Sequence, residues 1–114
     1  MKSKQLTIFL NHARKELQRY NSNKKVVHLQ QMGEKMWNAY IYLLESVSKI
    51  EIKSRNQVYN IRRKLHDKDI TELGGLCSNL HVFFYEGAGD DFYIKKNYHS
   101  ARKLFTKLRK KYKI

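Results

Sequence analysis

The sequence predicts an all-α protein, an antiparallel up-down four-helix bundle with a short extra helix in the middle connection, as a single domain over residues 1–114. Three observations carry that expectation. Apolar residues recur at i, i+3, i+4 and i+7 in four long segments. Two of the three junctions between them are short clusters of turn formers. There is no proline, and the only strand-like alternation, Ile50-Glu51-Ile52-Lys53, is too short and isolated to build a sheet. At 114 residues the chain suits one domain that buries roughly two-thirds of its extended surface on folding.

The first segment, from about Ser3 to Tyr20, aligns Leu6, Phe9, Leu10, Ala13, Leu17 and Tyr20 on one stripe. Asn21-Ser22-Asn23 follows with side chains that bond nearby backbone amides, the chemistry of a stop or a cap. The second segment, about Lys24 to Lys49, carries Val26, Leu29, Met32, Met36, Trp37, Tyr40, Leu43, Leu44 and Val47. It is the most apolar of the four and should be the most buried. Residues 50–68 read as a structured connection, with Val58, Ile61 and Leu65 forming a short helix after Ser54.

The third segment opens on Asp69-Ile70-Thr71-Glu72, a capping-box pattern with Asp69 as the cap. It turns Ile70, Leu73, Leu76, Cys77, Leu80, Phe83 and Phe84 inward. Gly74-Gly75 costs this helix about 1 kcal/mol per glycine relative to alanine. Either backbones approach closely there or the helix begins later. Gly87-Ala88-Gly89 supplies a helix stop, because glycine tolerates a left-handed turn. Asp90 or Asp91 then caps the last segment, whose stripe is Ile94, Tyr98, Ala101, Leu104, Phe105, Leu108 and Tyr112. A tetratricopeptide-like array is the competing architecture, but no repeat near 34 residues is present.

Charge is the strongest functional signal. Lys and Arg exceed Asp and Glu by fourteen, and the excess sits at the two ends: residues 1–30 hold +6 and residues 91–114 hold +8, while the middle sixty sum to zero. In an up-down bundle the first and last helices are neighbours. Their cations would form one surface from Lys4, Arg14, Lys15 and Arg19 with Lys95, Lys96, His99, Arg102, Lys103, Arg109, Lys110 and Lys113. Such a surface attracts polyanions and binds them in a salt-dependent, sequence-tolerant way. Tyr20, Tyr93, Tyr98 and Tyr112 lie in or beside it and would stack on unpaired bases. A solvated face is the structural alternative, although Lys107 to Lys113 contains no acidic partner. A membrane-surface role is disfavoured because the same apolar stripe is needed by the core.

Three stretches carry a family resemblance. Gly33-Glu34-Lys35-Met36-Trp37-Asn38-Ala39 resembles the (A/G)-E-K-x-W-x-A core of the HEPN superfamily, in its archaeal PaREP-type branch. Leu80-His81-Val82-Phe83-Phe84-Tyr85-Glu86 resembles that branch's L-H-x-N-F-Y-E segment, with Phe83 in place of the asparagine. Tyr98 to Leu104 resembles its final helix. Glu34, Trp37, His81, Tyr85 and Glu86 are the motif positions. The resemblance implies a four-helix bundle, often a homodimer, and either a metal-independent ribonuclease or the partner of a small nucleotidyltransferase. The ribonucleases use R-x(4–6)-H, which is not present here; the nearest spacing is Arg62-x-x-x-His66, expected to share a helix face.

The remaining chemistry is sparse. His12, His28, His66, His81 and His99 have no metal-ligand spacing, and no metal or cofactor is expected. Glu34 and Glu86 border inward stripes and could meet in the bundle, but the paired Glu-x-x-His signature of di-iron sites is absent. A lone cysteine, Cys77, excludes an internal disulfide and reads as a core residue. Nothing at the start resembles a secretory signal and no apolar run reaches a membrane span, which points to a cytoplasmic chain. The leading expectation is a non-catalytic nucleic-acid-binding module. A protein-interaction partner and a divergent ribonuclease using Arg62 and His66 are the alternatives.

Overall fold

The computed structural model describes residues 2–86 and 90–114, with side chains over 4–84 and 90–114. Its described residues are all helix and connection: α1 (Lys2–Asn23), α2 (Val26–Ser48), α3 (Arg55–Leu65), α4 (Lys68–Glu86) and α5 (Asp91–Tyr112). The four helical segments expected from periodicity are α1, α2, α4 and α5, and the short helix in the middle connection is α3. The Gly87-Ala88-Gly89 stop lies outside the described residues, as do the side chains of Tyr85 and Glu86.

Local chemistry explains most boundaries. Asn23 Oδ1 accepts from the Lys25 amide at 2.9 Å, closing the turn after α1, while Lys24 adopts φ 59. The Ile50 to Lys53 alternation forms no strand. Those residues run as an extended connection, tied down where buried Glu45 accepts from the Ile52 amide at 2.8 Å. Ser54 and Gln57 form a reciprocal capping box that starts α3. The cap of α4 is Asp67, two residues before the expected Asp69: its Oδ1 accepts from the amides of Asp69 (2.9 Å) and Ile70 (3.3 Å). Asp90 caps α5 through the Phe92 amide at 2.8 Å. Asp91 is thereby released to accept a bond from Tyr20 Oη at 2.9 Å.

The stripes meet in one core, with Leu6, Met32, Met36, Leu43, Leu44, Leu73, Leu80 and Leu108 fully or almost fully buried. Val26, expected on the inner stripe of α2, is half exposed because it opens the helix beyond the core. Helix α2 is the hub and packs on α1, α3, α4 and α5. At its crossing with α4, Gly33 lies against the backbone carbonyl of Leu80, and a Cβ on Gly33 would overlap that oxygen. Phe9 stacks on Tyr42, and Glu16 meets His28 at 2.8 Å, so α1 and α2 pass in opposite directions. Tyr20 with Asp91, and Thr7 with Arg109, give the same sense to α1 and α5.

The two glycines inside α4 have different reasons. Gly74 is buried beneath the Arg62 guanidinium and the Tyr40 hydroxyl, and a Cβ there would fall on both. Gly75 is exposed and faces open space. The first is a close approach; the second carries only the cost of a helical glycine.

Candidate nucleic-acid interface

The outward crown of α5 is built by helical spacing. Lys96, Lys103 and Lys110 stand seven residues apart, about 10.5 Å along the axis at each step. His99 and Lys107 fill the same strip, and all five are exposed. No carboxylate of α5 itself lies on it: the acid at the head of α5, Asp91, turns toward α1, and Asp90 caps the helix. Lys107 is not among the cations that the sequence assigns to the outer face. Its position four residues after Lys103 places it there, where it also reaches Asp69 at 2.9 Å.

The cations on the flanks of α5 are engaged within the protein. Arg102 donates through Nη1 to the Leu10 carbonyl at 3.1 Å. Arg109 donates to Thr7 Oγ1 at 2.9 Å and to the Ile114 carbonyl at 3.0 Å. Lys95 lies over the Tyr20 ring, 5.2 Å from its centre. These three side chains, spaced by seven, span the gap to α1. On the opposite flank Lys111 meets Asp67 at 2.8 Å. Lys113 is exposed just past the helix.

Helix α1 contributes less to one surface than its charge implies. Lys4 and Arg14 are exposed, and Arg14 is close enough to α5 to act on the Tyr98 hydroxyl. Lys15 and Arg19 instead share a hollow with His12, Glu16 and Lys35 on the α2 side, and Arg19 pairs with Glu16 at 2.6 Å. The expected slab is therefore a crown on α5 with a partial extension onto α1.

The aromatic complement also changes. Tyr20 and Tyr98 are buried, and burial pushes the Tyr98 hydroxyl above its ordinary range against the pull of Arg102 and Arg14. Tyr112 is half-buried, with its hydroxyl on Asp67; burial and that bond raise it to about 12. Neither Tyr20, Tyr98 nor Tyr112 offers a free stacking face. Tyr93 is exposed, and beside it Phe92 is 73% exposed, on the polar side of the helix and so outside the apolar stripe.

Arg62 and His66 do not share a helix face. Helix α3 ends at Leu65, and His66 takes up the left-handed cap conformation at φ 49, exposed. Arg62 is half-buried, with Nε donating to Tyr40 Oη at 2.7 Å while that hydroxyl donates to the Ile70 carbonyl at 3.0 Å. Burial raises the Tyr40 hydroxyl to about 12, although Arg62 pulls the other way. Burial likewise pushes the Cys77 thiol far up, as expected of a packed and unreactive side chain.

The two motif stretches on α2 and α4 meet. Trp37 stacks on His81 at 5.1 Å, and His81 on Phe84 at 6.2 Å. Burial lowers His81 below its ordinary range, aided by Arg55 and opposed by nearby Glu34. Among the described residues no group of three His, Cys, Asp or Glu could hold a metal ion, and no helix is long and apolar enough to cross a membrane. Compared with protein-family models, curated proteins and solved structures, the chain gives no match.

Proposed function

We propose that this protein is a non-catalytic, HEPN-like module, an up-down four-helix bundle with α3 as its extra helix, that binds RNA or single-stranded nucleic acid along α5. The observation that carries the reading is the exposed strip of Lys96, Lys103 and Lys110 along α5, with His99 and the Asp69-paired Lys107 between them. Ordinary solvated faces mix both signs; a single-sign strip concentrates potential and recruits a polyanion. Phe92 and Tyr93 at the start of α5 supply exposed rings for a base. The HEPN-like reading is supported by the packing of its two motif stretches against each other, at Gly33 on Leu80 and Trp37 on His81.

Fluorescence anisotropy with a labelled single-stranded RNA, followed from 50 to 200 mM salt, tests the reading. Log affinity should fall linearly with log salt, by about 0.7 for each phosphate neutralised on a single strand. Replacing Lys96, Lys103 and Lys110 together by glutamine should flatten that slope by about 2. Replacing Lys15, Arg19 and Lys35 should change it little. Binding that is absent even at 50 mM salt, or insensitive to the crown substitutions, rejects the proposal.

A further inference from the structure

A groove of about 860 Å³ lies away from the α5 crown, where the end of α3 turns into α4. Arg62 and Tyr59 line it from α3, His66 from the turn, and Lys68 and Glu72 from α4. Arg62 is held there with unusual definition for an arginine. Its Nε is fixed by Tyr40, its guanidinium lies 5.2 Å from the Tyr40 ring centre and 5.6 Å from that of Tyr59, and it sits on Gly74 where no side chain would fit. A guanidinium has five N–H donors. One is used; those of Nη1 and Nη2 have no protein acceptor among the described residues.

We propose that this groove is an oxyanion site, with the Arg62 fork binding a terminal phosphoryl group, Arg63 and Lys68 completing its charge, and His66 offering a ring N–H. A planar fork already immobilised suits two-point bonding to a phosphate and loses little freedom on doing so. Of the two carboxylates on the lining, Asp67 is occupied by Lys111, Tyr112 and the two amides that it caps. Glu72 opposes the anion and weakens the site. Lys111 and Lys107 bond to Asp67 and Asp69, which places the C-terminal half of α5 beside the groove. The group could thus be the end of a strand lying on α5 or a free phosphate.

Amide chemical shifts, recorded during titration with inorganic phosphate at constant ionic strength in chloride, test the site directly. Saturable shifts at Tyr59, His66, Lys68 and Thr71 are expected. Arg62→Lys, which keeps the charge and loses the fork, should weaken binding about tenfold or more. Arg63→Gln with Lys68→Gln, both at exposed positions, should weaken it several-fold without disturbing the fold, and Glu72→Gln should strengthen it. A second titration compares an RNA carrying a 5′-phosphate with the same RNA ending in a hydroxyl. A preference for the phosphorylated end that Arg62→Lys removes assigns the group to a strand; saturable binding of inorganic phosphate with no end preference assigns it to a free phosphate. Shifts that do not saturate, or that persist unchanged in both the Arg62→Lys and the Arg63→Gln/Lys68→Gln proteins, overturn the site. The crown substitutions should weaken RNA binding along α5 and flatten its salt slope without affecting the inorganic phosphate titration, so the two proposals fail separately.

Discussion

The two seams of the molecule are made differently. Helices α2 and α4 approach until a glycine, Gly33, is required against the Leu80 carbonyl. The backbones of α1 and α5 stay farther apart, and Arg102, Arg109 and the Tyr20–Asp91 bond bridge them. The first seam depends on a missing side chain, the second on long ones. The wide seam consumes cations that would otherwise face solvent, so the formal charge of α5 overstates what it offers a ligand. Its functional surface is what remains after the fold has taken its share.

Substitutions at each seam should differ in size. Gly33→Ala forces backbone against Cβ, a clash that no rotamer relieves, and should cost about 2–3 kcal/mol. A fall in the urea midpoint with an unchanged m-value checks it.

The next effect tests the end of the α4–α5 pairing. Burial alone would push the Asp67 carboxyl up, but the bonds from Lys111 and Tyr112 and from the Ile70 and Asp69 amides outweigh it and hold it at about 2, below its ordinary 3.8. A depressed carboxyl contributes stability that is complete above the unfolded value and disappears as pH falls from about 4 toward 2. That loss should be about 1–2 kcal/mol and missing from Asp67→Asn, as read from thermal melting across that range.

At the wide seam, Arg102→Ala should cost about 1 kcal/mol, because a half-buried, charge-assisted bond to one carbonyl is lost and water can replace it. A cost as large as that of Gly33→Ala would mean that the two seams are not distinct. Gly75→Ala should act in the opposite direction, stabilising by about 0.5–1 kcal/mol, since the new methyl meets nothing and the helix gains propensity. Destabilisation there would place Gly75 in a close approach like that of its neighbour.

Gly74 and Gly75 also mark how far the sequence could be read. Both looked like penalties on a helix, and their spacing offered no means of telling them apart. The difference is that Arg62, twelve residues earlier, returns across Gly74 and not across Gly75. The sequence points to Asp69 as the cap of α4 because the pattern Asp-x-x-Glu is present there, and nothing local singles out Asp67. What decided between them was where the chain turned. The stripes of α1, α2, α4 and α5 were readable because helical periodicity is a local property of consecutive residues. The crown was half readable: spacing by seven aligned Lys96, Lys103 and Lys110, but nothing local indicated that Arg102 and Arg109 would reach α1.

By itself the sequence determined that the chain is helical, which faces are apolar, and that its positive charge gathers at the two ends, because each follows from residue type and near-neighbour spacing. Only the tertiary structure decided which cations are engaged in bridging helices and which are exposed, which glycine is indispensable, and that Arg62 stands fixed at a groove. Those outcomes depend on side chains that are distant along the chain and adjacent in space, and no local pattern records that adjacency.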